Sequence, residues 1–136
     1  MQSHYNTIKT KLISLPSWQD KYREIMLLGK TLPLLPNALK VDNAKVNGCE
    51  SNVWLYLSLD ETETTLLVVS DSDTRIVKGL IALIVNCFNG LTPAQALEVN
   101  ISEEFEQMGL LKHLSPSRGN GIKAIVAMIQ QYCENY

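Results

Sequence analysis

The side chains best suited to covalent chemistry in this 136-residue chain are three cysteines, Cys49, Cys87 and Cys133, with two histidines, His4 and His113. A zinc site needs cysteines or histidines paired at short spacing, and none are so paired. An odd number of widely spaced cysteines suits free thiols in a reducing compartment. Cys87 lies within the most apolar stretch, GLIALIVNCFNGL (Gly79–Leu91), and reads as a small buried hydrophobe. Cys133, near the C-terminal end, has neither local charge nor a cleft to act in. Cys49, in VNGCES (Val46–Ser51), fits neither a helix face nor a strand alternation. Gly48 before it permits a positive φ or close approach of another backbone. Loops on a rigid scaffold are where reactive groups concentrate. A nucleophilic cysteine needs thiolate character and access. Glu50 opposes that charge, so a cation from elsewhere would have to help, with Lys45 and Arg118 as candidates. Residue pattern alone leaves two readings of Cys49 open, inert loop residue and nucleophile.

The second unusual stretch is HLSPSRGNG (His113–Gly121). Ser115 and Ser117 are good caps and Pro116 suits a helix entry. Arg118 would then sit near a helix N-terminus, where guanidinium and dipole can act on one anion. His113 is a candidate base, although a lone histidine is more often structural. SDSDTR (Ser70–Arg75) lacks the spacing and terminal glutamate of a calcium loop and reads as a strand end followed by a helix cap.

The elements that must position these residues follow from periodicity. A first helix is expected within Ser3–Leu12. A second starts at Ser17, with Asp20 in its first turn, and stops at Gly29. TLPLLPNALK reads as an ordered loop. Val53, Leu55 and Leu57 alternate with Trp54, Tyr56 and Ser58, as in a strand, and TTLLVVS (Thr64–Ser70) reads as its hairpin partner across DETE. NAKVN (Asn43–Asn47) is expected as a short third strand. A broad apolar helix is expected over Asp73–Asn89, short helices at Thr92 and over Ser102–Gly109, and a last helix from Gly119 to Tyr132. Helices, then strands, then helices make an α+β class.

Composition bounds the rest. A chain of this length with 46% hydrophobic and 19% charged residues can build one core, so residues 1–136 are expected to form a single domain. A formal net charge of −2 argues against a nucleic-acid partner. The N-terminal residues lack the apolar core of roughly 7–15 residues that a signal peptide needs. The most apolar run is too short to span a bilayer. The expectation is a cytoplasmic protein with no membrane contact.

Four motifs carry a family resemblance. VNGCESNVWL, SDSDTRIVKGLIAL and GLLKHLSPSRGNGIKAIVAMI resemble the signatures of the SufE/CsdE family, and WQDKYREIMLLGKTLPLLP is similar to its N-terminal segment. The likeness covers roughly residues 15–132 in order, and each of the two branches is matched in part. The family accepts sulfur from PLP-dependent cysteine desulfurases. The resemblance implies that Cys49 receives persulfide sulfur from a partner desulfurase (SufS/CsdA-like), stimulates it, and hands the sulfur on to a downstream iron–sulfur scaffold for cluster assembly. The PLP belongs to the partner, so no cofactor is expected on this chain, and a homodimer is left open. The implied fold is a three-stranded antiparallel sheet packed with helices, like the iron–sulfur scaffold proteins (IscU-like). Such scaffolds gather three cysteines with a histidine or carboxylate. Here Asp71 and Ser72 stand at the second cysteine position and Leu114 at the third, so no metal and no cluster are expected. A zinc- or cluster-binding scaffold is the alternative function. The supporting or partner-binding residues implied are Asn47, Gly48, Glu50 and Ser51 in the turn, Asp71 and Asp73 after the strand, and His113 and Arg118 before the last helix. If Cys49 is buried, its loop must open to meet the desulfurase.

Overall fold

The computed structural model describes residues 3–136. Two helices come first, α1 (Ser3–Ser14) and α2 (Trp18–Lys30). As expected, Ser17 caps α2, its hydroxyl accepting from the Asp20 N–H at 3.2 Å. The chain then runs through residues 31–45 with two short 3-10 turns, Asn37–Leu39 and Asp42–Ala44. Strands β1 (Val53–Leu59) and β2 (Leu66–Ser72) pair antiparallel, from Val53 opposite Ser72 to Leu59 opposite Leu66. Asp60 organises their turn by accepting from the Thr62 and Thr65 hydroxyls and from the Thr64 and Thr65 N–H groups. Helix α3 (Arg75–Phe88) follows, then α4 (Pro93–Leu97), α5 (Ile101–Gln107) and α6 (Pro116–Cys133).

The α+β class is as expected, but the third strand is not there. Among the described residues the sheet has two strands. Asn43–Asn47 contributes one isolated bridge, Lys45 to Trp54, supported by the Val46 N–H donating to Val53 O at 2.9 Å. Residues 42–44 are wound as a 3-10 turn, and the chain turns again at Gly48, whose φ is +94°. Between these two bends no ladder can propagate. The last helix begins at Pro116 rather than Gly119. Ser115 caps it, accepting from the Arg118 N–H at 3.3 Å, and Pro116 in the first turn lacks only an N–H that would have no partner there anyway. Helix α3 starts at Arg75 rather than Asp73, because Thr74 is still extended.

Helix α3 is the centre of the core, with ten of its fourteen residues buried. One face of the sheet, including Val53, Leu55, Leu66 and Val68, is buried in the same core, while Trp54 packs with Leu35 and Ala44 in a separate small cluster. Helix α2 crosses α3 at backbone contact. A Cβ placed on Gly79 would lie 2.3 Å from the Ile25 carbonyl oxygen, and one on Gly29 would lie 2.9 Å from the Gly79 nitrogen. Backbone cannot yield as a flexible side chain can. Gly79→Ala is therefore expected to cost about 3 kcal/mol or more by overpacking. Gly119→Ala, in α6 with nothing within 4 Å of the new methyl, is expected to gain up to about 1 kcal/mol from helix propensity. Urea unfolding of the two variants checks this, and equal midpoints would remove the steric argument.

Candidate functional site

Cys49 sits on a loop that is closed at its base by the Val46–Val53 hydrogen bond and held on both flanks. On the α3 side, the Ser72 hydroxyl donates to Asn52 O at 2.7 Å, the Asn52 amide donates to Asp73 at 2.8 Å, and the Thr74 hydroxyl donates to Ser51 Oγ at 2.9 Å. On the α6 side, the Ser117 hydroxyl donates to Glu50 at 2.8 Å. The Cys49 thiol itself donates to the Gly121 carbonyl at 3.6 Å. The loop is thus wedged between the start of α3 and the start of α6. Glycine occupies both of its tight points. Gly48 takes a left-handed φ that a side chain would strain, and a Cβ on Gly121 would lie 3.3 Å from Cys49 Sγ.

The thiol opens on a small pocket of about 130 Å³. Val77 and Leu80 of α3 and Ile122 and Ile125 of α6 supply its apolar wall, and Glu50, Ser51, Ser115, Ser117 and Arg118 its polar one. Cys49 is half-buried, and burial pushes its thiol pKa up. The exposed Arg118 side chain lines the same pocket and makes no hydrogen bond or ion pair among the described residues, so the guanidinium is free to meet an anion. The site sets a thiol of raised pKa in the same pocket as an uncommitted cation.

The expected site residues separate into two groups. Cys49, Glu50, Ser51 and Arg118 line the pocket, Gly48 shapes the turn, Asn47 lies exposed on that turn, and Asp73 braces it through Asn52. Asp71 and His113 are outside the pocket's lining. Asp71 is 1% exposed, accepts from the Leu35 and Ser72 N–H groups and pairs with Lys78 at 3.2 Å. His113 stacks on Trp18, ring centroids 4.6 Å apart and planes 13° from parallel. Sequence reasoning missed Ser117 as the partner of Glu50 and Gly121 as the seat of the thiol. The signal available for both was the small-residue run SPSRGNG. Among the described residues no three His, Cys, Asp or Glu side chains converge in a way that could hold a metal ion. No described helix is long and apolar enough to cross a membrane.

Comparison with known proteins places this architecture. The model of the SufE family, described as an Fe–S metabolism associated domain, matches residues 6–133. The sulfur acceptor protein CsdE of Escherichia coli is 36% identical over 119 residues, which cover 88% of this chain and 80% of that protein. An uncharacterised SufE-like protein of Rhizobium meliloti is 34% identical over 122 residues, covering 88% and 87%. The solution structure of a hypothetical protein from Thermus thermophilus has the same fold, with a TM-score of 0.78 at 16% identity, over 96% of this chain and 93% of that one.

The three thiols should differ in reactivity. Burial and the charge of Glu104 raise the Cys87 pKa to about 12, and burial raises that of Cys133. Iodoacetamide should alkylate Cys49 first in the folded protein, with Cys87 and Cys133 labelled only after denaturation. The Cys49 rate should climb with pH to a midpoint above the ordinary thiol value of about 8.5. A midpoint below that value, read by mass spectrometry of the labelled peptide, would contradict the burial argument.

Proposed function

We infer the function from the premise that this chain belongs to the SufE family: it is a sulfur acceptor for a PLP-dependent cysteine desulfurase. The observation that carries this reading is Cys49 itself, a free thiol on a glycine turn, facing a pocket with an unpaired arginine. A relative named a sulfur acceptor protein, aligned over most of both chains, supports it.

The exchange balances without an external oxidant. The desulfurase presents a cysteine persulfide. The Cys49 thiolate attacks its outer sulfur, the donor's S–S bond breaks, and the donor cysteine leaves as a thiolate. Cys49 now carries the sulfur as a persulfide, and the proton it gave up goes to solvent. A second thiol in reach would attack that persulfide, form a disulfide and release sulfide. Cys87 and Cys133 are buried in the core, so the carried sulfur is spared this resolution. The half-buried pocket also limits access of solvent reductants. Arg118, lining the same pocket, is assigned to the anionic persulfide.

Resting burial keeps Cys49 protonated, so transfer requires the loop to open. Releasing the Glu50–Ser117 and Cys49–Gly121 contacts rehydrates the thiol, lowers its pKa toward the ordinary value and extends its reach. Docking on the desulfurase supplies that step, and stimulation of the desulfurase follows because removal of its persulfide clears it for the next turnover. The downstream recipient is assigned to iron–sulfur cluster assembly, as the family description suggests. The PLP stays with the desulfurase.

Incubation with a cysteine desulfurase and L-cysteine should add about 32 Da per sulfur to the Cys49 peptide. Cys49→Ser should abolish the adduct, whereas Cys87→Ser and Cys133→Ser should keep it. Arg118→Ala should lower the persulfide yield roughly tenfold while leaving the melting temperature unchanged. A Cys49→Ser protein that still accepts sulfur at the wild-type rate would end this reading.

A further inference from the structure

A larger hollow lies away from Cys49. It encloses about 580 Å³ beside the end of α2, the start of the following loop and the start of α3. Arg23, Lys30, Arg75 and Lys78 line it together with apolar side chains that include Leu27 and Leu34, and no carboxylate does. The charge is out of keeping with the chain, which has a net charge of −2 and only 12 lysines and arginines in all. Two of the four cations are engaged, Lys78 by buried Asp71 at 3.2 Å and Arg23 loosely by Asp20 at 3.7 Å. Lys30 and Arg75 have no ion-pair partner among the described residues.

The apolar part is equally uncommitted. Leu34 is 80% exposed and Leu27 50%. Leu34 is not on a loose loop. Its neighbour Leu35 is buried and donates its N–H to Asp71 at 3.0 Å, and prolines flank the pair. A leucine held in water in this way forgoes the free energy that burial would return. A rigid apolar surface rimmed by cations of one sign suits one kind of occupant, a segment with leucine-like side chains on one face and carboxylates beside them.

We propose that this groove is a docking site for an acidic, amphipathic segment of a partner protein. Apolar side chains of the segment cover Leu27 and Leu34, and its carboxylates pair with Lys30 and Arg75. The groove and the Cys49 pocket share α3, whose Arg75 and Lys78 line the one and whose Val77 and Leu80 line the other. A segment seated in the groove therefore leaves the mouth of the Cys49 pocket to a separate contact. The proposal does not depend on sulfur transfer and can fail without it.

The test is selection of displayed peptides of about 12 residues on the folded full-length protein. Enriched sequences should alternate Asp or Glu with Leu, Ile or Phe. A synthetic peptide of the enriched sequence should bind the Lys30→Glu/Arg75→Glu protein at least roughly tenfold more weakly, and the Leu34→Ser protein more weakly as well. All three replaced side chains lie on the surface, and a thermal melt verifies that the variants fold. Failure to enrich, peptides without acidic residues, or binding indifferent to these substitutions would overturn the proposal. So would equal binding of a polyglutamate peptide, which would reveal a charge patch alone. Groove-dependent binding to phosphatidylglycerol vesicles without any peptide binding would assign the site to a membrane surface and overturn it too.

Discussion

Contact between two helix backbones, at Gly29 of α2 and Gly79 of α3, sets the geometry on which both surfaces of this protein depend. With no side chain at either position, α2 lies against α3 closely enough for the Ile25 carbonyl to fill the space a Cβ on Gly79 would need. Helix α3 then has α2 on one flank and the Cys49 loop and α6 on another. It can serve all of them because its sequence is apolar nearly all round, the pattern of a buried rather than a surface helix. Its two charged residues, Arg75 and Lys78, fall at the start, where the helix leaves the sheet, and Asn86 near its end turns its amide back onto the Ala82 carbonyl. A wider crossing would move these two residues relative to α2 and displace the wall that Val77 and Leu80 give to the thiol pocket.

The loop of Cys49 sets two requirements against each other. Reactivity needs thiolate and access, whereas protection of a persulfide needs burial. Burial without a paired cation raises the thiol pKa, and that is the resting arrangement. Because the folded state favours the neutral thiol, the sign of the linkage is fixed. Cys49 weighs against the closed state as pH rises past the unfolded thiol pKa, and is neutral below it. The contacts that oppose opening are few and each modest: one thiol hydrogen bond to Gly121 and one hydroxyl hydrogen bond to Glu50. Net values of about 1 kcal/mol apiece for such bonds put the open loop within reach of a docking partner. The flank toward α3 has more ties, through Ser51, Asn52 and Ser72, so a loop that opened would release its α6 side first.

Much of this was legible in the sequence, for identifiable reasons. Ser17 with Asp20, Thr92 with Pro93 and the period of Ile76 to Phe88 report local structure through local residues, and each element formed close to its expected bounds. A strand over Asn43–Asn47 would put Ala44 and Val46 on one face. Both are buried, yet they reach separate clusters, Ala44 beside Trp54 and Val46 in the main core, across a 3-10 turn. Over three residues, inward alternation cannot separate a strand from a turn that feeds two clusters. The Cys49 turn was legible because Gly48 precedes it. Its seat was not, because Gly121 meets Cys49 only through the tertiary fold, and a helical glycine reads as mere looseness. His113 drew notice by residue type and Asp71 by the family resemblance, but neither says that a Trp18 ring covers one and the 31–41 loop the other.

Asp71 explains how the loop after α2 becomes part of the rigid frame. Its carboxylate is buried, which alone would raise its pKa. Hydrogen bonds from the Leu35 and Ser72 N–H groups and the charge of Lys78 outweigh this and hold it below the usual carboxylate range. Lys40 adds a longer contact at 3.9 Å. An acid with a depressed folded pKa contributes stability above its unfolded value, about 3.9, and loses it as pH falls through the folded one. At neutral pH Asp71 is therefore fully charged and fully engaged. It joins β2 to Leu35 on one side and to α3 through Lys78 on the other, the two elements that present Leu34 and two of the cations of the basic groove, Arg75 and Lys78. The buried charge is costly to desolvate, but it fixes an exposed apolar loop relative to a helix, which the small cluster of Leu35, Ala44 and Trp54 has too little apolar contact to do by itself.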